Sequence, residues 1–256
     1  MAHTLQIIPI SAFEDNYIWL IKQGEKAIVV DPGDARPVIE ALEKYQLTLT
    51  TILITHHHAD HIDGVQPLLQ RFPETVVFAP KREQFSFPHI KVGEGDHIDV
   101  LDLTFDVLDV PGHTLGHIAY VVQTDPGPLL FCGDTLFGAG CGRLFEGTPE
   151  QMLTSLKKLI KLPQETKVFC THEYTLNNIQ FALGVEPNNQ ALIERHLETE
   201  QLLAARKPSL PSTIALELAT NPFLRCSYEA IKQSVNEKNA SELAVFAKLR
   251  QLRNLY

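Results

Sequence analysis

Cysteine is scarce in this chain. The 256 residues hold four, Cys132, Cys141, Cys170 and Cys226, and no two form a CxxC pair, so paired-thiol chemistry has no basis here. Free, mostly buried thiols are the expectation in a reducing compartment. Positive charge is also short: 22 basic against 31 acidic residues leave a net −9, without the overall field expected of a nucleic-acid binder. No uncharged apolar stretch is long enough to span a bilayer. The opening MAHTLQIIPISAFEDNY has neither the basic nor the long apolar region of a signal peptide. A cytoplasmic protein is expected, a monomer with neither nucleic-acid nor membrane partners. With 44% apolar residues, the length suits one large core or a main domain with a smaller one.

The first two-thirds alternate short apolar runs with loops and a few helices. Strands are predicted at 5–9, 17–22, 27–30, 51–55, 75–79, 104–110, 118–124, 129–132 and 167–170, rich in Val, Ile, Leu and Phe and bounded by turn residues. Helices are predicted at 35–45, 64–71 and 149–162, the last opened by Thr148 as N-cap and Pro149 at the first helical position. After His172 strand patterns disappear. Helices are predicted at 174–183, 189–205, 212–220, 228–236 and 241–252, punctuated by prolines. The expected organisation is a strand-rich metal-binding domain over 1–173 and a helical domain over 174–256.

Between Thr55 and Gly64 the chain reads THHHADHIDG, so His56, His58, Asp60 and His61 place four metal-binding side chains within six residues. Three more candidates, His113, Asp134 and His172, each sit just after an apolar run. Seven nitrogen and oxygen donors exceed the four that a tetrahedral zinc takes; they suit two ions sharing a carboxylate and a water. If the chain stays extended past Thr55, His56 and His58 face one side and His57 the other. A turn at Ala59 then brings Asp60 and His61 in from a second direction. His56 and His58 are therefore expected on one metal, Asp60 and His61 on its neighbour, with Asp134 offering an oxygen to each. His57 and His117 read as supporting histidines. Asp31 in VVDPGD reads either as a carboxylate that orients a histidine or as a plain turn residue. Such a donor set suits Zn(II) and accommodates Fe(II) or Mn(II). Two such ions activate water and polarise a carbonyl, which makes a hydrolase without serine or cysteine.

THHHADH, GHTLGH, GDT and the His172 context together resemble the metallo-β-lactamase superfamily, which implies an αββα sandwich with the metals at one edge. Within it, GDTLFGAGCGRLFEGTPEQM, THEYTLNN and the helical last third resemble glyoxalase II, the hydroxyacylglutathione hydrolases. The resemblance runs over nearly the whole chain. It implies hydrolysis of S-D-lactoylglutathione to glutathione and D-lactate, the second step of methylglyoxal detoxification. It implies His56, His58 and His113 on one metal, Asp60, His61 and His172 on the other, and Asp134 between them. Asp134 and Asp60 are then the carboxylates of catalysis, Asp134 by aligning the activated water. Glutathione-binding positions fall on Arg143, Tyr174, Asn178, Arg250 and Arg253.

Two departures stand out: Phe145 replaces the tyrosine of some members, and Arg253-Asn254 replaces the Lys-Asp of many. By spacing alone, Tyr174 and Asn178 share a helix face beside His172. Arg250 and Arg253 are a like-charge pair on the last helix, either an anion clamp or a solvated basic end that complements the helix dipole. A persulfide dioxygenase, with one iron on the same fold, is the alternative; the HEYT segment and the tail arginines argue against it. Gly138-Ala139-Gly140 suggests a flexible loop near the site.

Overall fold

The computed structural model describes residues 5–256. Strands β1 (Leu5–Ala12), β2 (Asn16–Gln23) and β3 (Lys26–Val30) form an antiparallel meander. Helix α1 (Ala35–Tyr45) crosses over to β4 (Thr48–Leu53); α2 (Ala59–Ile62) and α3 (Val65–Arg71) lead to β5 (Val76–Pro80), and β6 (Ile90–Val92) ends the sheet. From β3 onward the neighbours are parallel; helices cross over between β3 and β4 and between β4 and β5, and a loop joins β5 to β6. The second sheet holds β7 (His97–Val100), β8 (Leu103–Asp109), β9 (Ile118–Val122) and β10 (Leu129–Gly133). A small hairpin follows, β11 (Leu136–Phe137) and β12 (Gly140–Cys141). Helix α4 (Pro149–Leu159) then returns the chain to β13 (Lys167–Cys170), parallel to β10. Helices α5 (Thr175–Val185) and α6 (Gln190–Ala204), strand β14 (Ser212–Thr213), and helices α7 (Ile214–Thr220), α8 (Glu229–Ser234) and α9 (Glu242–Leu255) complete the chain.

The central strands β2, β3, β9 and β10 carry almost unbroken apolar runs because both of their faces are covered, whereas β7 and β8 alternate buried residues with partly or fully exposed ones. In β2, Ile18 and Leu20 pack outward with Val38, Leu42 and Leu68 of α1 and α3. Trp19 and Ile21 point the other way, into the interior between the sheets with Phe105, Tyr120 and Phe131. On the far face of the second sheet, Met152 and Leu156 of α4 belong to one cluster with Phe223, Phe246 and Leu249. The result is helix, sheet, sheet, helix, with the C-terminal helices extending the last layer.

The short strands β6, β7, β11 and β12 have no counterpart among the predicted strands, and three further departures stand out. Ser212 and Thr213 are not helical; they pair with Lys167 and Val168 and extend the second sheet, because Thr213 caps α7 and leaves the two residues before the helix extended. The chain does not merely turn at Ala59. It enters the four-residue helix α2, too short to show any periodicity in the sequence. Gly138-Ala139-Gly140 is a buried hairpin tip and not a loose loop. Ala139 N donates to Glu217, and Asn221 Nδ2 donates to the carbonyls of Phe137 and Gly140. A Cβ on Gly138 would meet the Thr175 hydroxyl at 2.5 Å, so that glycine serves close packing.

Candidate metal centre

The seven candidate donors come together at one edge of the sandwich, on the segments that leave β4, β8, β10, β13 and the start of α2. In open α/β sheets the carboxyl ends of strands are where connections diverge and leave room for a ligand. Three donor groups form there: His56, His58 and His113; Asp60, His61 and His172; and His56, His61 and Asp134, the atoms of each group lying within 4.8 Å of one another.

The ring orientations follow from what holds each imidazole. His61 Nδ1 donates to Asp31 Oδ2 (3.0 Å), and His172 Nδ1 donates to Asp15 Oδ1 (2.8 Å). His113 Nδ1 donates to the Arg143 carbonyl (2.7 Å). The Thr55 hydroxyl donates to Asp31 Oδ2 (2.7 Å) and so accepts from His56 Nδ1 (3.1 Å). Carboxylates and carbonyls only accept, so the Nε2 lone pairs of these histidines are left facing inward. His58 is reversed: its Nδ1 lies 3.0 Å from both His56 Nε2 and His113 Nε2. Three ring nitrogens converging in this way would suit a cation at their centre.

Asp134 joins the two sets. Its Oδ2 lies 3.3 Å from His113 Nε2 and 3.4 Å from His172 Nε2, while Oδ1 lies 3.4 Å from His61 Nε2. His61 Nε2 and Asp134 Oδ1 are buried with no hydrogen-bond partner, a costly arrangement for protein alone and a natural one for metal donors. The residues therefore fit a pair of divalent ions.

Local sequence explains the placement. Gly133, at φ 47°, turns the chain after β10, and a Cβ there would stand 2.3 Å from the Thr55 hydroxyl. Asp134 N then donates to His117 Nε2 (3.1 Å), and the His117 ring stacks on His56 at 4.6 Å. His117 thus supports the cluster from behind. Asp31 is itself left-handed, at φ 52°, a conformation that aspartate tolerates better than most residues. Its buried carboxylate also accepts from Thr55 N (2.8 Å), so it orients a histidine and fixes the segment that carries the others. His57 points away from the donors and lies 3.1 Å from Glu83 and 3.4 Å from Glu146.

The electrostatics divide the cluster. Burial and neighbouring imidazoles push His56 and His113 below the ordinary histidine range and His58 down to about 4, so these rings are neutral and ready to ligate. Burial also opposes charge on His61 and His172, yet Asp134 and the carboxylates of Asp31, Asp15 and Asp60 outweigh it and raise both. Asp134 is held far below the ordinary carboxylate range: burial raises it, and His172 and His61 more than reverse that.

A cleft of about 350 Å³ opens beside His113 and Asp134. Arg143, Tyr174, Asn178, Arg250 and Arg253 all line it. The Tyr174 ring lies parallel to His172 at 4.7 Å. Arg250 is buried, donates from Nη1 to the Cys141 carbonyl (2.7 Å), and leaves Nε without a partner. Arg253 donates to Asn178 Oδ1 (3.2 Å), and burial together with nearby Arg250 lowers its pKa. Two guanidinium groups therefore line one cleft, a charge arrangement suited to an anion. Phe145 is 60% exposed, edge-on to His58 and His113, with the Arg143 guanidinium over its ring.

Sequence reasoning missed Asp15 and Asn16 (Asn16 Nδ2 donates to Asp60 Oδ2 at 3.0 Å), as well as Thr55. The FEDNY turn carries no pattern that separates it from an ordinary hairpin connection. All four cysteines are buried, and burial raises the thiol of each.

This fold with this donor cluster defines the metallo-β-lactamase class, and the model of the metallo-β-lactamase superfamily matches residues 13–172. ETHE1 from Myxococcus xanthus superposes with a TM-score of 0.65 at 26% identity, covering 98% of this chain and 99% of that one. TTHA1623, solved in a di-iron-bound form, superposes at 0.59 with 26% identity, covering 85% of this chain and 100% of its own. The model for the C-terminus of hydroxyacylglutathione hydrolase matches residues 173–256. The hydroxyacylglutathione hydrolase of Methylobacillus flagellatus is 55% identical over 97% of this chain and 98% of its own length. The chain belongs to the hydroxyacylglutathione hydrolase family.

Proposed function

We propose that the protein hydrolyses S-D-lactoylglutathione and related 2-hydroxyacyl thioesters to glutathione and the free hydroxy acid, the second step of methylglyoxal detoxification. The observation that carries this is the cleft whose lining brings Asp134 and His113 together with Arg250 and Arg253. It matches a substrate with a hydrolysable carbonyl at one end and peptide carboxylates at the other. The full-length likeness to hydroxyacylglutathione hydrolases supports the same reading.

His56, His58 and His113 would hold one divalent ion, and Asp60, His61 and His172 the second, with Asp134 shared. Zinc suits this nitrogen and oxygen set best, and iron or manganese is accommodated. When bound, such a pair lowers the pKa of water and polarises the thioester carbonyl. The chain's own part is positioning. Asp134, fixed by His117 and kept ionised, aligns the attacking water. Arg143, Arg250 and Arg253 anchor the peptide, Tyr174 closes the wall beside His172, and Asn178 holds Arg253 in place. A thiolate leaves readily, so no dedicated proton donor is required. Residues 1–173 would supply the chemistry and 174–256 most of the glutathione wall. Among the described residues no helix is long and apolar enough to cross a membrane, which is compatible with work in the cytoplasm.

Comparing S-D-lactoylglutathione with the lactoyl thioester of a small uncharged thiol tests the proposal. A strong preference for the glutathione ester, expressed in KM, is expected; equal kcat/KM for both would overturn it.

A further inference from the structure

The two halves of the donor cluster are held in different ways. His56 and His113 lean on neutral oxygens, the Thr55 hydroxyl and the Arg143 carbonyl. Of the second set, His172 and Asp60 are both gripped where the turn after β1 enters β2, by the last turn residue and the first residue of β2. Asp15 Oδ1 accepts from His172 Nδ1 at 2.8 Å, and the next residue, Asn16, donates from Nδ2 to Asp60 Oδ2 at 3.0 Å. Asn16 is 5% exposed, so its carboxamide has little alternative in solvent.

The main chain locks this turn to the segment beyond β13. Tyr17 N donates to the Thr171 carbonyl at 2.6 Å, and Glu173 N donates to the Asp15 carbonyl at 2.8 Å, an antiparallel bridge that pairs Asn16 with His172. Tyr17 adds a side-chain bond from its hydroxyl to Glu173 Oε2 at 3.0 Å. The turn belongs to the first sheet and His172 follows a strand of the second. Closing the sandwich at this point therefore sets the aim of two donors at once. No atom of Asp15 or Asn16 bonds to His56, His58 or His113.

We infer that Asp15 and Asn16 are positioning residues that govern filling of the second metal position, Asp60–His61–His172, and leave the first to bind on its own. The inference rests on the dinuclear reading above. Partners of metal ligands fix the ring's tautomer and direction, and their loss typically weakens metal binding about 10- to 100-fold. Asp15→Ala leaves His172 Nδ1–H without its acceptor and the ring free to rotate. Asp15→Asn keeps an acceptor and gives up the charge. Asn16→Ala frees Asp60 without touching His172.

The test is equilibrium dialysis of metal-free full-length protein against buffered zinc over a wide range of free concentrations, with bound zinc counted per chain. Wild type should fill in two steps. Asp15→Ala and Asn16→Ala should each weaken one step by about 10- to 100-fold and leave the other in place, with Asp15→Asn between wild type and Asp15→Ala. Circular dichroism and melting of the metal-free variants check that the fold survives; if Asp15→Ala does not fold, the near-isosteric Asp15→Asn decides the matter. Equal weakening of both steps, or no change in either, overturns the inference and leaves the dinuclear reading intact. A wild-type protein that binds a single zinc overturns the dinuclear reading itself, and this inference with it.

Discussion

The donor edge and the cleft wall meet at Asp134, yet they are built on opposite plans. At the donor edge five of the seven candidate donors are buried, and most are held by a named partner: His61 by Asp31, His172 by Asp15, His113 by the Arg143 carbonyl, Asp134 through its backbone by His117. The wall is assembled from a hairpin, the start of α5 and the end of α9, and its contacts range from buried Arg250 to exposed Phe145. Chemistry that depends on converging lone pairs needs geometry fixed before the substrate arrives. Recognition of a flexible peptide needs charge of the right sign in reach, and tolerates looser placement.

That contrast predicts a graded set of losses. Asp134→Ala removes the group shared by both donor sets and should lower kcat by at least about a thousandfold, several kcal/mol of barrier. A folded variant that keeps most of its turnover would break the account of the donor edge. Arg195→Ala tests what holds the wall in place. Arg195 and Glu217 form a buried ion pair at 2.6 Å, and Glu217 also receives Ala139 N of the hairpin tip. Removing the arginine strands a buried carboxylate and should cost roughly 3–5 kcal/mol of stability. A melting temperature within a degree or two of wild type would mean the pair does not brace the hairpin.

Arg250→Ala should raise KM for the glutathione thioester about 10- to 100-fold, the worth of a charge-assisted hydrogen bond, with little change in kcat. If a small non-glutathione thioester suffered equally, the anion-clamp role would be wrong. The smallest effect is expected of Phe145→Tyr. It adds a hydroxyl at the rim of the cleft and should lower KM by no more than about tenfold, one neutral hydrogen bond. A rise in KM would show that the exposed ring contributes by apolar contact.

The contrast also explains what the sequence disclosed. The cluster from His56 to His61 is contiguous, so its spacing could be read directly, and His113, Asp134 and His172 stood out because each closes an apolar run. Asp15 stayed hidden: it lies 157 residues from the histidine it orients, in a polar turn with no periodicity. The long helix α4 announced itself by helical spacing and by Thr148 and Pro149 at its start. The two-residue strands β11, β12 and β14 are too short for a period-two pattern. The glycines at the hairpin tip looked like freedom in one dimension and are close packing in three, since Thr175 and Asn178 occupy the space a side chain would need.

The most direct test of the central claim is hydrolysis of S-D-lactoylglutathione by purified protein without oxygen, with bound metal quantified on the same sample. Rapid thioester loss with about two ions per chain, as a shared-carboxylate site implies, is the expected result. Protein carrying two ions that leaves the thioester untouched would contradict it, and oxygen uptake with a glutathione persulfide would then point to oxidative chemistry on the same fold.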